Sequence, residues 1–169
     1  GFDPNHVNFQ DASGNPRISR MWVITGNNSA VREYNTPEQI KAYTTDNSNQ
    51  THGTHVLGIM AGYYGGNGAV AKYNERTGRL QISQNSSIPY YGVATGADLV
   101  PSIGTLDGEN ILRACDKLSE YAKSVGKPAV MNLSLGHNTG PHDGTTAANR
   151  YMAKIGKEMI ICVSAGNEG

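Results

Sequence analysis

Two places in this 169-residue sequence hold side chains whose types and spacing can do chemistry. The first is Asn49-Gln50-Thr51-His52-Gly53-Thr54-His55-Val56-Leu57-Gly58. A histidine followed at once by glycine, threonine and a second histidine, then by small and apolar residues, predicts a loop feeding a helix that packs closely on neighbouring backbone. His52 stands at the mouth of that helix with its ring free, as a general base requires. His55 lies one turn further in and is expected to be packed and hydrogen-bonded. The second place is Met159-Ile160-Ile161-Cys162-Val163, an apolar run that reads as a buried strand, followed by Ser164-Ala165-Gly166-Asn167. Taken alone, Asn167 is ordinary turn chemistry. A metal reading also exists, because His52 and His55 share one helix face and His6, His137 or His142 could complete a site. No cysteine or carboxylate cluster supports it, so no metal is assigned.

The elements that must position these residues follow in order. Residues 21–25 predict a strand ended by Gly26-Asn27-Asn28, and the polar stretch 29–50 predicts a surface insertion. The histidine helix should cover 51–63. A long Gly-, Asn- and Ser-rich loop, with a short hairpin around Gly78, should fill 65–91. A strand over 99–103 is interrupted by Pro101, which cannot donate to a ladder. Asp107 is placed to cap a helix running to 125, with Ile111, Ala114, Cys115, Leu118, Ala122 and Val125 on one face and Gly126 as its stop. A strand over 129–134, a helix over 145–155 with Ala148, Met152 and Ile155 inward, and a strand over 159–163 complete the chain. This alternation of apolar strands and amphipathic helices argues for an α/β fold with a parallel sheet covered on both faces.

Composition sets limits. The length suits one domain with a core of its own. With 14 basic and 14 acidic residues, the chain offers no electrostatic case for nucleic acid or an anionic membrane. No apolar run could span a bilayer, and no signal peptide is present. Two cysteines cannot build a disulfide framework, so Cys115 and Cys162 are both expected as buried thiols.

Four segments, in this order, resemble the subtilisin-like serine peptidases: the His52 motif, Gly92-Val93-Ala94-Thr95-Gly96-Ala97-Asp98-Leu99, Ala129-Val130-Met131-Asn132-Leu133-Ser134-Leu135-Gly136, and Cys162-Val163-Ser164-Ala165-Gly166-Asn167-Glu168-Gly169. The resemblance implies a three-layer α/β/α fold with a mostly parallel sheet. It implies that His52 is the general base and that Asn167 donates to the oxyanion. Ser134, Leu135 and Gly136 would pair with an extended polypeptide. With Ser164, Ala165 and Gly166 they would line a roomy pocket, suited to an apolar or aromatic side chain before the scissile bond. Asp46 would bias a neighbouring subsite toward basic residues if it were not simply a solvated loop acid. Some subtilisins bind calcium after the histidine helix, but no such ligand pattern is recognisable here and no cofactor is assigned.

The opening Gly1-Phe2-Asp3 is similar to the continuation of the family's Asp-Ser/Thr-Gly turn, which puts the triad aspartate two residues before Gly1 and makes Asp3 a downstream acid. No Gly-Thr-Ser turn occurs; Gly144-Thr145-Thr146 comes nearest and precedes Asn167. The expectation is therefore a partial peptidase domain over 1–169, incomplete in its sheet and inactive by itself. Its parent would be a secreted or cell-envelope serine endopeptidase working through an acyl-enzyme. The alternatives are a catalytically dead peptide-binding module and a strand-exchanging oligomerisation unit. Self-association is expected because a strand missing between 99–103 and 129–134 would leave two rows of backbone groups without partners.

Overall fold

Met21, Trp22, Val23 and Ile24 are four consecutive buried residues, so the strand they form is covered on both faces. The computed structural model describes residues 1–26, 30–66, 68–85, 89–136 and 139–167. The expected turn residues Asn27 and Asn28 lie outside that set, as do His137, Glu168 and Gly169. The strands are β1 (Met21–Thr25), β2 (Ala30–Tyr34), β3 (Tyr63–Tyr64), β4 (Gly68–Asn74), β5 (Arg79–Asn85), β6 (Tyr90–Tyr91), β7 (Ser102–Gly104), β8 (Val130–Leu133) and β9 (Ile160–Val163). The helices are α1 (Pro37–Ala42), α2 (His52–Ala61), α3 (Gly108–Val125) and α4 (Ala147–Ile155). They fall into two compact units, one of Gly1–Met21 with Tyr34–Leu99, the other of Trp22–Glu33 with Val100–Gly169.

The first unit is built around α2. Its last carbonyls, which a helix cannot satisfy internally, are taken up by a neighbouring segment. Val93 donates its N–H to Ile59 O at 3.0 Å and Ala94 to Met60 O at 2.8 Å. Arg17 adds its guanidinium to Ala61 O at 3.0 Å. Gly92 must be glycine for this docking, since a Cβ there would stand 2.6 Å from Gly62 N. Phe2, Phe9, Ile18 and Ile40 are buried in this unit, with the rings of Phe2 and Phe9 stacked 5.6 Å apart. The expected surface insertion 29–50 contains more than loop: β2 flanks β1, and α1 is capped by Thr36, whose hydroxyl accepts from Gln39 N–H. The hairpin around Gly78 is present and longer than expected, with seven paired positions from Gly68↔Asn85 to Asn74↔Arg79.

The second unit holds the parallel pairs. β1 runs parallel to β7, with Trp22 opposite Ser102 and Ile24 opposite Gly104. Pro101 precedes β7 instead of interrupting it, and its carbonyl accepts the Trp22 N–H at 3.2 Å, so the missing donor is not needed. Leu99 belongs to an isolated parallel bridge with Ile18 and is not part of that strand. α3 begins at Asp107, which accepts from Asn110 N–H at 2.8 Å, and ends at Gly126 in the left-handed conformation, φ 63°. β8 and β9 pair in parallel from Val130↔Ile160 to Leu133↔Val163. On one face of that pair Met131, Leu133 and Ile161 pack against Cys115, Ile155 and Met152 of α3 and α4. Tyr151 of α4 donates its hydroxyl to the Asp116 carboxylate of α3, which pushes its pKa up to about 12.

Several burial expectations are corrected. Among the described residues of this unit the helices cover one face of β8–β9 only, leaving Val130 and Ile160 61 % and 64 % exposed. Cys162, on that bare face, is exposed and not buried. Val125 and Ala148 are exposed because α3 and α4 present only part of their apolar stripes to the strands. Cys115 is buried as expected, and burial holds its thiol pKa up. Titrating the folded 169-residue chain with a thiol reagent should therefore give one fast thiol, lost in Cys162→Ser, and a second that reacts only on unfolding. Two fast thiols would mean that α3 does not stay packed on the strands.

Candidate active site

His52 is the first residue of α2 and is exposed. Among the described residues its ring has no hydrogen-bond partner, whereas His6 is occupied, its Nδ1 accepting the Asn8 N–H at 3.3 Å. His55, expected to be packed, is exposed as well, because the buried side of α2 runs through Gly58 and Ala61. Among the described residues no group of three or more His, Cys, Asp or Glu converges as a metal site.

The backbone before and beside His52 is held tightly. Gly53 donates its N–H to Gly1 O at 2.9 Å, and Thr54 Oγ1 accepts the Asp3 N–H at 2.9 Å. A Cβ on Gly1 would lie 2.0 Å from Gln50 O and 2.7 Å from Asn47 O, so only glycine passes through this gap. Asp46 is not the free loop acid expected. Its side chain is 16 % exposed, and Oδ1 accepts the Phe2 N–H at 2.6 Å. Next to it, burial first and the Asp46 carboxylate second raise the Tyr43 phenol. Asp3 spends its own Oδ1 on the Asn5 N–H at 2.8 Å, a local turn. The sequence reading named Asp46, Thr54 and Gly1 but foresaw none of these contacts. The Phe2–Asp46 bond joins residues 44 apart, and no local pattern marks it.

The second unit brings seven expected site residues to one place, the carboxyl ends of β8 and β9. Ser134, Leu135 and Gly136 follow β8; Ser164, Ala165, Gly166 and Asn167 follow β9. Parallel strands end there with their last carbonyls and the following turns open to a ligand. Ser164 ties the two segments together, donating N–H to Leu133 O at 3.1 Å and its hydroxyl to Leu135 O at 2.7 Å. Ser134 Oγ accepts from the Asn132 side-chain amide at 2.9 Å. Gly136 and Gly166 lie beside each other, with room for ordinary van der Waals contact: a Cβ on the former would be 4.0 Å from the Cα of the latter. Gly166 has φ 93°, the turn geometry that leads into Asn167, which is exposed. His52 belongs to the other unit.

The model of the subtilase family matches residues 1–169, the whole sequence. The chain belongs to the subtilase family. Among solved structures, this subtilase is similar to the CspB protease of Clostridium perfringens, with 26 % identity and a TM-score of 0.68. That likeness covers 99 % of this chain but 34 % of the other, so the subtilase chain described here spans about a third of the length of that protease. No curated protein matches the sequence. Among the described residues, no helix is long and apolar enough to cross a membrane.

Proposed function

We propose that this chain is part of the catalytic domain of a serine endopeptidase and that His52 and Asn167 work in it. The observation that carries the reading is an exposed histidine at the head of a helix, its ring without a hydrogen-bond partner among the described residues, within a sequence that matches the subtilase family from end to end. His52 takes the proton of a serine hydroxyl as that oxygen attacks a peptide carbonyl, then returns it to the leaving amine. The serine and the aspartate that orients the imidazole are supplied by residues other than these 169, which contain no Gly-Thr-Ser turn. The chain by itself is then inactive, since no acyl-enzyme forms without the nucleophile.

Asn167 donates its amide to the oxyanion. An amide suits this, being a neutral donor fixed before the charge develops. Ser134, Leu135 and Gly136 offer an extended backbone edge to a polypeptide substrate, and Gly136, Gly166 and Ala165 keep the adjoining pocket wide. Such an enzyme acts on protein outside the cytoplasm, in a secreted or cell-envelope setting.

The test uses the complete protein that carries this chain. A fluorophosphonate should label it stoichiometrically, and Asn167→Ala should lower kcat by about 10²–10³-fold with little change in KM; subtilisin's own asparagine is the reference case for that scale. A raised KM with kcat retained would assign Asn167 to substrate binding instead. A protein that binds peptides yet takes no label would be a dead binding module.

A further inference from the structure

We infer that Asp46 is a positioning residue for the His52 base, a role that rests on the peptidase reading above. Three bonds lash the Gly1–Asp3 backbone to the segment carrying His52. Gly53, the residue after His52, donates to Gly1 O at 2.9 Å. Thr54 Oγ1 accepts from Asp3 N–H at 2.9 Å, and Asp46 Oδ1 accepts from Phe2 N–H at 2.6 Å. The Asp46 bond is the short one and the one with a charged acceptor, the stronger class of hydrogen bond. Its side chain is turned inward, 16 % exposed, while the residue as a whole stands at the surface.

The steric setting gives the bond its consequence. Gly1 is wedged between the carbonyls of Gln50 and Asn47 on one side and Gly53 on the other, where a Cβ on Gly53 would lie 3.0 Å from Gly1 O. Residues 46–54 therefore wrap Gly1–Asp3 with little slack, and Asp46 closes the wrap at its far end. In the peptidase reading the orienting aspartate stands just before Gly1. Loosening Phe2 would let that acid shift against the imidazole. Misplacement by about 1 Å is enough to lower a rate by about 10²-fold. Phe2 anchors the same segment from the core, buried and stacked on Phe9, so Asp46 sets the height of the Gly1 peptide and not its general location.

The experiment compares Asp46→Asn, Asp46→Ala and Asp46→Glu in the complete protein, with kcat normalised to the molecules that fluorophosphonate titrates. Asp46→Asn keeps an acceptor oxygen in place and should hold kcat within about threefold. Asp46→Ala and Asp46→Glu, the latter pushing the carboxylate out by one methylene, should each lower kcat by about 10–100-fold with KM within about threefold. If Asp46→Ala fails to fold, Asp46→Glu carries the comparison. Unchanged kcat in Asp46→Glu would overturn the role, as would an equal loss in Asp46→Asn. A raised KM with kcat intact would make Asp46 a substrate-site residue and overturn it too. A wild-type protein that takes no label would instead remove the peptidase reading, and this inference with it.

Discussion

His52→Ala, made in the complete protein, should lower kcat/KM by about 10⁴-fold or more while leaving stability within about 0.5 kcal/mol. The rate loss is the scale on which a triad member acts, for which subtilisin is the reference case. The stability expectation comes from the geometry. His52 is exposed, and among the described residues its ring holds no hydrogen bond, so alanine removes neither packing nor a buried polar contact. Alanine is also a better helix former than histidine at the start of α2. Separation of activity from stability is what distinguishes a working base from a structural histidine. Kinetics together with a denaturant titration of the same variant measure both. Activity within tenfold of wild type would remove His52 from the chemistry, and loss of activity by chelation with recovery on zinc would replace the base with a metal.

Gly104→Ala should be the most damaging small substitution in the second unit, with a loss of about 3 kcal/mol or more in urea unfolding of the 169-residue chain. Gly104 closes β7 opposite Ile24 with φ 130°, a backbone conformation that side chains rarely adopt. A Cβ there would sit 1.9 Å from Ile24 O and 3.0 Å from Ile24 N, against backbone that cannot swing aside. The same Ile24 O accepts Thr105 N–H at 3.0 Å, so relief of the clash breaks that bond and moves a strand that is buried on both faces. Gly108→Ala is the control. It opens α3, nothing lies within 4 Å of its Cβ position, and no positive φ is recorded there. That change should be neutral or stabilising by up to about 1 kcal/mol. Equal stability of the two variants would mean β7 does not pair with β1 in solution.

The boundaries of α3 were legible because its caps lie next in sequence to the helix they close. Asp107 and Gly126 frame α3 because an N-cap carboxylate and a left-handed glycine act within a few residues. β1 was legible from four consecutive apolar residues bounded by Gly26. α1 was missed although its signal was present: Thr36 caps Gln39 N–H, Pro37 takes the first turn, and Gln39 Oε1 accepts the Asn35 N–H at 2.9 Å. Burial was less legible. Helical spacing shows which residues share a face, but not whether a partner covers all of it, and so Val125, Ala148 and Cys162 were placed inside. In the candidate site, histidine and asparagine motifs stand out as local patterns, whereas the Asp46 bond depends on two distant segments meeting.

Connectivity has a consequence for synthesis on the ribosome. The chain passes between its two units at Met21/Trp22, Glu33/Tyr34 and Leu99/Val100. The partner of β1 is β7, so Trp22 emerges about 80 residues ahead of Ser102. At roughly 5–20 residues per second, that is a wait of about 4–16 s. Through that interval β1, with its four consecutive buried residues, has β2 beside it and no β7, while the rest of the first unit, Tyr34–Leu99, is being made. The nascent chain is therefore most exposed to wrong pairing between the first and second passage of its backbone through the same sheet.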